Sequence, residues 1–414
     1  MKKVRSFFLA PYHFLLPYLG ALRYGFPSRR LLVIAVTGTK GKSSVTEMVN
    51  AVLEEAGYTT ALLNSIRFKI ADHTEPNTLR MSMPGRFFIQ RFLRQAVDAK
   101  CTAAILEMTS EGARQYRHRA VALDALIFTN LAPEHIESHG SLEQYADAKF
   151  SIGKALARSS KRPRAMVANA EDAQSKRYLA LNVEHSVPFS LSTHEHTADE
   201  RGGTLRFEDV DIAMRLPGDF SLSNALAAAE LCRALGISTT VIKRGLEKIT
   251  TIPGRAERIE ASQNFTVVVD YAHTPDSLKA LYDAYKNTRT ICVLGNTGGG
   301  RDTWKRPVMG AIADQHCAEV ILTNEDPYDE DPRAIVEEMT KDMKRAPTII
   351  MDRRLAIREA LARARSNDAV LITGKGTDPC ICVENGNKIP WSDAQVAREE
   401  IERLQAGVPV GRQV

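Results

Sequence analysis

Short apolar runs alternate with longer stretches of mixed polarity along almost the whole chain. Residues 31–36, 102–106, 125–129 and 166–168 are too short for helices and read as strands buried on both faces. Residues 45–56, 86–99 and 141–157 have helical length. Gly57 ends the first of these, and Ser141 offers the last an N-cap, with Glu143 and Gln144 in its first turn. Residues 130–140 read as a polar loop and 192–203 as a polar surface loop. Helices at 221–235 and 239–249 lead to Pro253-Gly254, where a domain boundary is expected. Beyond it the alternation resumes, with strands at 265–269, 290–294, 319–323, 348–351 and 369–373. This order predicts an α/β protein in three parts: an N-terminal segment (1–30), a central domain with a parallel-rich sheet (31–250) and a smaller Rossmann-like domain (251–414). Parallel sheets bind ligands at the carboxyl ends of their strands, and the unusual residues of both domains lie there.

The first thirty residues do not fit the alternation. Lys2, Lys3 and Arg5 precede a largely apolar run to Leu22, and Arg23, Arg29 and Arg30 follow. The basic start resembles a secretory leader, but Pro11, His13 and Pro17 interrupt the apolar run and no cleavage site follows. The run is too short and interrupted to span a bilayer. Two readings stay open: the segment packs on the body of the protein, or it lies in a membrane interface with its basic flanks on anionic lipid.

Composition narrows the class. The 414 residues are 44% hydrophobic and 25% charged, ordinary for a globular protein with ample core. A net charge of +5 suits anionic small molecules, and no basic-aromatic motif points to nucleic acid. The six cysteines are scattered, Cys380 and Cys382 are too isolated for a zinc site, and no disulfide framework is expected, which favours a reducing cytoplasm.

The most specific stretch follows the first strand. Thr37-Gly38-Thr39-Lys40-Gly41-Lys42-Ser43-Ser44 joins that strand to a helix. Glycines let backbone N–H groups approach phosphate oxygens, and the helix N-terminus adds positive potential. Lys42 is placed to reach β/γ phosphates and Ser43 to ligate Mg²⁺. The general phosphate-loop pattern has a glycine where Val36 stands. Glu107 ends an apolar strand, where a charge needs a partner.

Together with these, five further segments resemble one family. They are 106–112 (Leu-Glu-Met-Thr-Ser-Glu-Gly), 130–149 with its His135 and the run Tyr-Ala-Asp-Ala-Lys ending at Lys149, 216–224, 253–257, and 269–276 (Val-Asp-Tyr-Ala-His-Thr-Pro-Asp). Their order and content are similar to the Mur ligases, closest to the MurE branch, which adds the third amino acid to UDP-N-acetylmuramoyl-dipeptide. Residues 295–307, with Arg301, Asp302, Lys305 and Arg306, fit the same branch. The resemblance accounts for the missing glycine and runs from about residue 31 to the end. It implies an ATP-dependent ligase that activates a carboxylate as an acyl phosphate and joins it to an amine in peptidoglycan precursor synthesis. It implies ATP on Gly38, Thr39, Lys40, Gly41, Lys42, Ser43, Ser44, Arg255, Asp270 and His273. It implies Mg²⁺ on Ser43, Glu107, His135 and Lys149, the lysine carrying a carbamate formed from CO₂. Thr109, Gln115 and Arg117 then touch a muramoyl-peptide acceptor. Arg301, Asp326, Tyr328 and Asp378 face the incoming amino acid. Arg255, after the hinge-like Pro253-Gly254, is expected to meet ATP phosphate as the domains close.

Two departures bear on substrates. The family's usual uridine-binding domain has no counterpart in the thirty residues before the phosphate loop, so little dependence on uridine is expected. Diaminopimelate-adding members carry Asp-Asn-Pro-Arg, where this chain has Glu325-Asp326-Pro327-Tyr328. Their Gly-Lys-Gly-His-Glu is Gly374-Lys375-Gly376-Thr377-Asp378 here. The loss of an arginine and the gain of carboxylates favour lysine or a similar basic amino acid over diaminopimelate. Two rivals remain: a glutamate-adding ligase of the folylpolyglutamate or poly-γ-glutamate type, and a non-ligating ATP-binding scaffold. Oligomeric state is open, and the location expected is the cytoplasm or its membrane face.

Overall fold

The computed structural model describes residues 2–134, 139–300 and 302–406, with side chains described from His13 onward. The chain forms two compact units. One comprises Met1–Thr197, Gly203–Arg215 and Asp219–Thr250; the other comprises Ala198–Gly202, Leu216–Gly218 and Thr251–Val414.

In the first unit, β1 (Leu32–Thr37) lies inside an eight-stranded sheet. Its companions are β2 (Thr60–Leu63), β3 (Arg67–Ile70), β4 (His73–Pro76), β5 (Ala103–Glu107), β6 (Ala125–Phe128), β7 (Ala165–Asn169) and β8 (His185–Phe189). The order is β4-β3-β2-β5-β1-β6-β7-β8. From β2 to β8 neighbours are parallel, while β3 and β4 turn antiparallel at one edge. Every residue of β5 and β6 is buried, as expected of strands covered on both faces. Val33, Ala35, Leu63, Leu106, Leu126 and Phe128 form the core on one side with Phe92 and Leu93 of α3 (Arg86–Asp98). Register fixes the functional edge: Val36 stands opposite Glu107 and Thr37 opposite Phe128. The loops after β1, β5 and β6 therefore emerge together.

Element ends move by a few residues from the sequence reading. The helix after β1 opens at Lys42, as the phosphate-loop reading has it, and the region 192–203 is not all loop. It contributes β9 (His196–Ala198) to a small sheet with β10 (Gly203–Phe207) and β11 (Val210–Met214). Edge pairing can recruit a polar segment that has no apolar alternation to announce it. At the chain start, α1 (Lys2–Arg23) is one continuous helix despite Pro11 and Pro17. Each proline removes a helical hydrogen bond. Packing of the stripe Pro17, Gly20 and Ala21 offsets that loss; Gly20 sits against Gln90 of α3. Among the described residues no helix is long and apolar enough to cross a membrane.

In the second unit the sheet order is β12-β13-β17-β14-β15-β16, formed by Glu257–Arg258, Thr266–Asp270, Ala369–Thr373, Thr290–Leu294, Glu319–Leu322 and Thr348–Ile349. All neighbours are parallel except β12 and β13. A hairpin of β18 (Cys380–Cys382) and β19 (Lys388–Pro390) follows. One expectation is corrected here: Cys292 of β14 and Cys317 form a disulfide. The two lie 25 residues apart and meet because the intervening helix returns the chain to the sheet, a closeness that spacing alone does not reveal. Cys101, Cys232, Cys380 and Cys382 are buried free thiols.

Candidate active site

The turn after β1 is shaped by two glycines. Gly38 has φ 148° and Gly41 φ 82°. A Cβ on Gly38 would lie 1.9 Å from Thr129 Oγ1, and one on Gly41 2.3 Å from Asn224 Oδ1. The loop is held from below. Thr39 N donates to Asn130 O (2.8 Å), Lys40 N to Asn130 Oδ1 (2.9 Å), and Thr129 Oγ1 to Lys40 O (2.6 Å). Lys40 pairs with Glu134 at 3.1 Å. Gly41 caps the helix α2 (Lys42–Glu55) without a side-chain acceptor, so its first-turn N–H groups lack a side-chain cap, which is the kind of helix N-terminus that can receive an anion. Lys42 Nζ folds back on Thr39 O at 2.8 Å.

Glu107, at the end of β5, is 3% exposed. Its Oε2 accepts from Ser43 Oγ (2.8 Å) and Ser65 N (2.9 Å), and its Oε1 from Ser82 Oγ (2.8 Å). The structure thus joins two of the expected metal ligands directly. Ser65 and Ser82 were not singled out from sequence, because a lone serine in a loop carries no spacing signal. Carboxylate and hydroxyl oxygens are the hard donors Mg²⁺ prefers, so this set fits the ion. His135 lies outside the described residues.

Lys149 projects from the helix Leu142–Ala157, whose N-cap Ser141 accepts from Gln144 N as expected. The side chain is fully buried. Nζ donates to Gly38 O at 2.6 Å and lies 4.5 Å from the centre of the Tyr145 ring. Burial first, then the charge of Lys42, push its amine well below the usual lysine range, while Glu134 and Glu107 act in the opposite sense. Tyr145 also meets Thr39 Oγ1 at 3.1 Å, tying this helix to the phosphate loop.

The expected acceptor residues cluster after β5. Thr109 caps the short helix Ser110–Arg114, accepting from Gly112 N at 3.2 Å. Gln115 Oε1 accepts from Arg117 Nη2 at 2.8 Å, and Gln115 O from Arg86 Nε at 3.2 Å. Arg117 also donates to Met83 O. Arg86, missed in the sequence, brings a second guanidinium to the same loop.

In the second unit the expected residues stand at carboxyl ends of strands. Asp270 accepts from Ala256 N and Ala272 N, both at 2.6 Å, and so braces two turns. The Arg255 guanidinium lies 4.4 Å from the centre of the Tyr271 ring, which contacts His273 edge-on. Asp326 is buried and accepts from Lys375 Nζ and Cys382 N, both at 2.8 Å. Lys375 also reaches Asp378 at 3.4 Å, and the Asp378 side chain keeps 19% exposure. Tyr328 takes φ 52° and donates its N–H to Cys382 O. Glu325 is fully buried, accepts from Thr297 Oγ1 at 2.9 Å, and has no hydrogen-bond partner for Oε2. Burial raises its pKa, with Arg353 and Lys375 opposing. Arg301 lies outside the described residues.

Known proteins resemble this chain over most of its length. The family model of the Mur ligase middle domain matches residues 36–232, and that of the Mur ligase glutamate ligase domain matches 254–376. A UDP-N-acetylmuramyl-tripeptide synthetase of Roseiflexus sp. (strain RS-1) is 36% identical over 420 residues, covering 94% of this chain and 82% of the relative. A solved UDP-N-acetylmuramoyl-L-alanyl-D-glutamate–2,6-diaminopimelate ligase is 25% identical with TM-score 0.64, covering 94% of this chain and 83% of that one. The Mycobacterium tuberculosis folylpolyglutamate synthase complexed with ADP is 18% identical and shares the fold at TM-score 0.72, over 88% of this chain and 92% of that one.

Proposed function

The chain belongs to the Mur ligase family of ATP-dependent, ADP-forming ligases, and on that premise we propose that it joins an amino acid to a muramoyl-dipeptide-type acceptor in peptidoglycan precursor synthesis. The observation that carries this reading is the clasp of Glu107 by Ser43 at the foot of the uncapped phosphate-loop helix. Bound ATP and Mg²⁺ supply the phosphoryl group and neutralise its charge. The chain's own residues do the rest. Lys42 leaves Thr39 O to meet phosphate, and the loop N–H groups fix the anion. Ser43, Glu107 and His135 would hold the metal. Arg117 and Gln115 orient the acceptor so that its carboxylate oxygen takes the γ-phosphoryl group of ATP and ADP leaves. The amino acid's amine then attacks the activated carbonyl, phosphate leaves, and the amine loses a proton.

Lys149 enters this scheme as a carbamate. The uncharged amine adds to the carbon of CO₂ and releases one proton, which turns a buried cation into an anion suited to Mg²⁺. Its burial beside Gly38 O supports the reading, since a bare ammonium there is poorly solvated. ATP supply places the work in the cytoplasm.

For the amino acid, Tyr328 offers a neutral hydroxyl where diaminopimelate-adding relatives of the resembling branch have arginine. Asp326 and Asp378 both pair with Lys375, at 2.8 and 3.4 Å, and Asp378 is the more exposed of the two carboxylates. This favours a terminal ammonium, hence L-lysine or ornithine over diaminopimelate. The test is ADP release with muramoyl-dipeptide acceptor and a panel of amino acids, each partner also omitted in turn. Release only when both are present, with L-lysine preferred, is expected. Tyr328→Arg should shift competition toward meso-diaminopimelate. Turnover with glutamate on a pteroyl acceptor alone would overturn the assignment, and preference for diaminopimelate would overturn the choice of amino acid.

A further inference from the structure

Helix α1 is apolar on two opposite sides. Pro17, Gly20 and Ala21 are buried against the first unit. On the other side Leu15, Tyr18, Leu19 and Leu22 are 55%, 40%, 52% and 67% exposed, with Phe14 beside them at 40%. These positions recur at three- and four-residue spacing, so they form one continuous stripe. Single exposed apolar residues need no explanation, but a stripe of five on one helix does. Its charge setting is as marked. Residues 1–30 contain six basic side chains, Lys2, Lys3, Arg5, Arg23, Arg29 and Arg30, and no acidic one. That +6 exceeds the whole chain's net +5, so the remainder carries −1. Arg23, Arg29 and Arg30 are exposed.

We propose that this stripe of α1 docks the protein on the surface of an anionic lipid bilayer, the helix lying in the interface with its basic flanks on the headgroups. A second copy of the chain is a poorer occupant, because pairing through this face would bring two uncompensated basic segments together. Its buried face argues against spanning, and among the described residues no helix is long and apolar enough to cross a membrane. The site has a functional neighbour. His13 Nδ1 meets Arg86 Nη2 at 2.7 Å, and Phe14 contacts Tyr116 edge-on at 5.7 Å. Docking through α1 therefore holds the Gln115–Arg117 loop close to the bilayer. The inference stands apart from ligation, since vesicle binding needs neither ATP nor acceptor.

The full chain is sedimented with vesicles of phosphatidylcholine alone and of phosphatidylcholine with phosphatidylglycerol. Binding to the anionic vesicles is expected, weakened by added salt and roughly fivefold by each of Arg29→Ala and Arg30→Ala. A Leu15→Glu/Leu19→Glu double variant should lose binding while keeping its circular dichroism, melting temperature and ATP affinity. These side chains are exposed, so the fold does not depend on them. Absence of binding to anionic vesicles at low salt overturns the proposal, as does binding that survives the double variant. So does a concentration-dependent dimer, seen by sedimentation equilibrium, that the double variant dissolves, because the face would then belong to a second copy.

Discussion

At Lys149 a side chain that is ordinarily a hydrated cation has no access to water. Its amine is pushed below the usual lysine range, so the unfolded chain binds the proton more tightly than the folded one. The sign follows: this residue lowers stability at acid pH, and the penalty fades as pH rises toward the unfolded value. Lys149→Ala should retain the fold, cost about 10²–10³ in kcat, and gain nothing from added bicarbonate; near-normal turnover would remove the residue from the chemistry. Glu325 has the opposite sign. Its raised pKa means the folded state holds the proton longer, so stability falls as pH climbs from the ordinary carboxylate range through the folded pKa. Glu325→Gln should therefore gain on the native protein in denaturant midpoints as pH rises toward neutrality. A pH-independent difference between the two would contradict this. Lys42, Glu107 and Lys149 were legible in the sequence because each sits in a distinctive local run: a glycine-rich turn, the charged end of an apolar strand, and the segment Tyr-Ala-Asp-Ala-Lys. Ser65, Ser82 and Arg86 were not, since only the fold brings them to Glu107 and Gln115.

Elements decide how firmly these groups are held. The turn at Gly41 combines a left-handed backbone with the close approach of Asn224. Gly41→Ala should cost about 1–2 kcal/mol from the backbone alone and weaken nucleotide binding in calorimetry. Asn224→Ala in the same chain should recover the steric part and leave the backbone part; full recovery would refute the strain argument. The strands β14 and β17 fell where the sequence placed them, because Ile, Val and Leu runs buried on both faces admit few alternatives. The β2–β4 meander was not read. Its strands are four residues long; β2 is a buried run (Thr-Ala-Leu-Leu) too short to stand out, and β4 is exposed along its length.

The chain divides into two units, and the second is tied at its functional edge by a buried ion pair. Arg353 donates to both carboxylate oxygens of Asp393, at 2.8 and 2.7 Å, and to Thr373 O at 2.7 Å and Asn324 O at 3.2 Å. Both side chains are at most 1% exposed. Removing one partner strands the other, so Asp393→Ala should cost about 3–5 kcal/mol. Hydrogen exchange should localise the loss to β15 and β17 and leave β1 and β5 protected; equal loss in both units would show that they unfold as one. Arg353 and Asp393, forty residues apart, gave no local sign of pairing in the sequence.

The seal over Lys149 also selects what can reach it. An amine enclosed by Tyr145 and the Gly38 carbonyl admits a small, uncharged, linear gas far more readily than a hydrated ion. Loading of the proposed carbamate would then be set by dissolved CO₂, with bicarbonate acting only as a reservoir. A protein stripped of CO₂ and then given bicarbonate should recover activity with a lag, and the lag should shorten when carbonic anhydrase speeds the release of CO₂ from it.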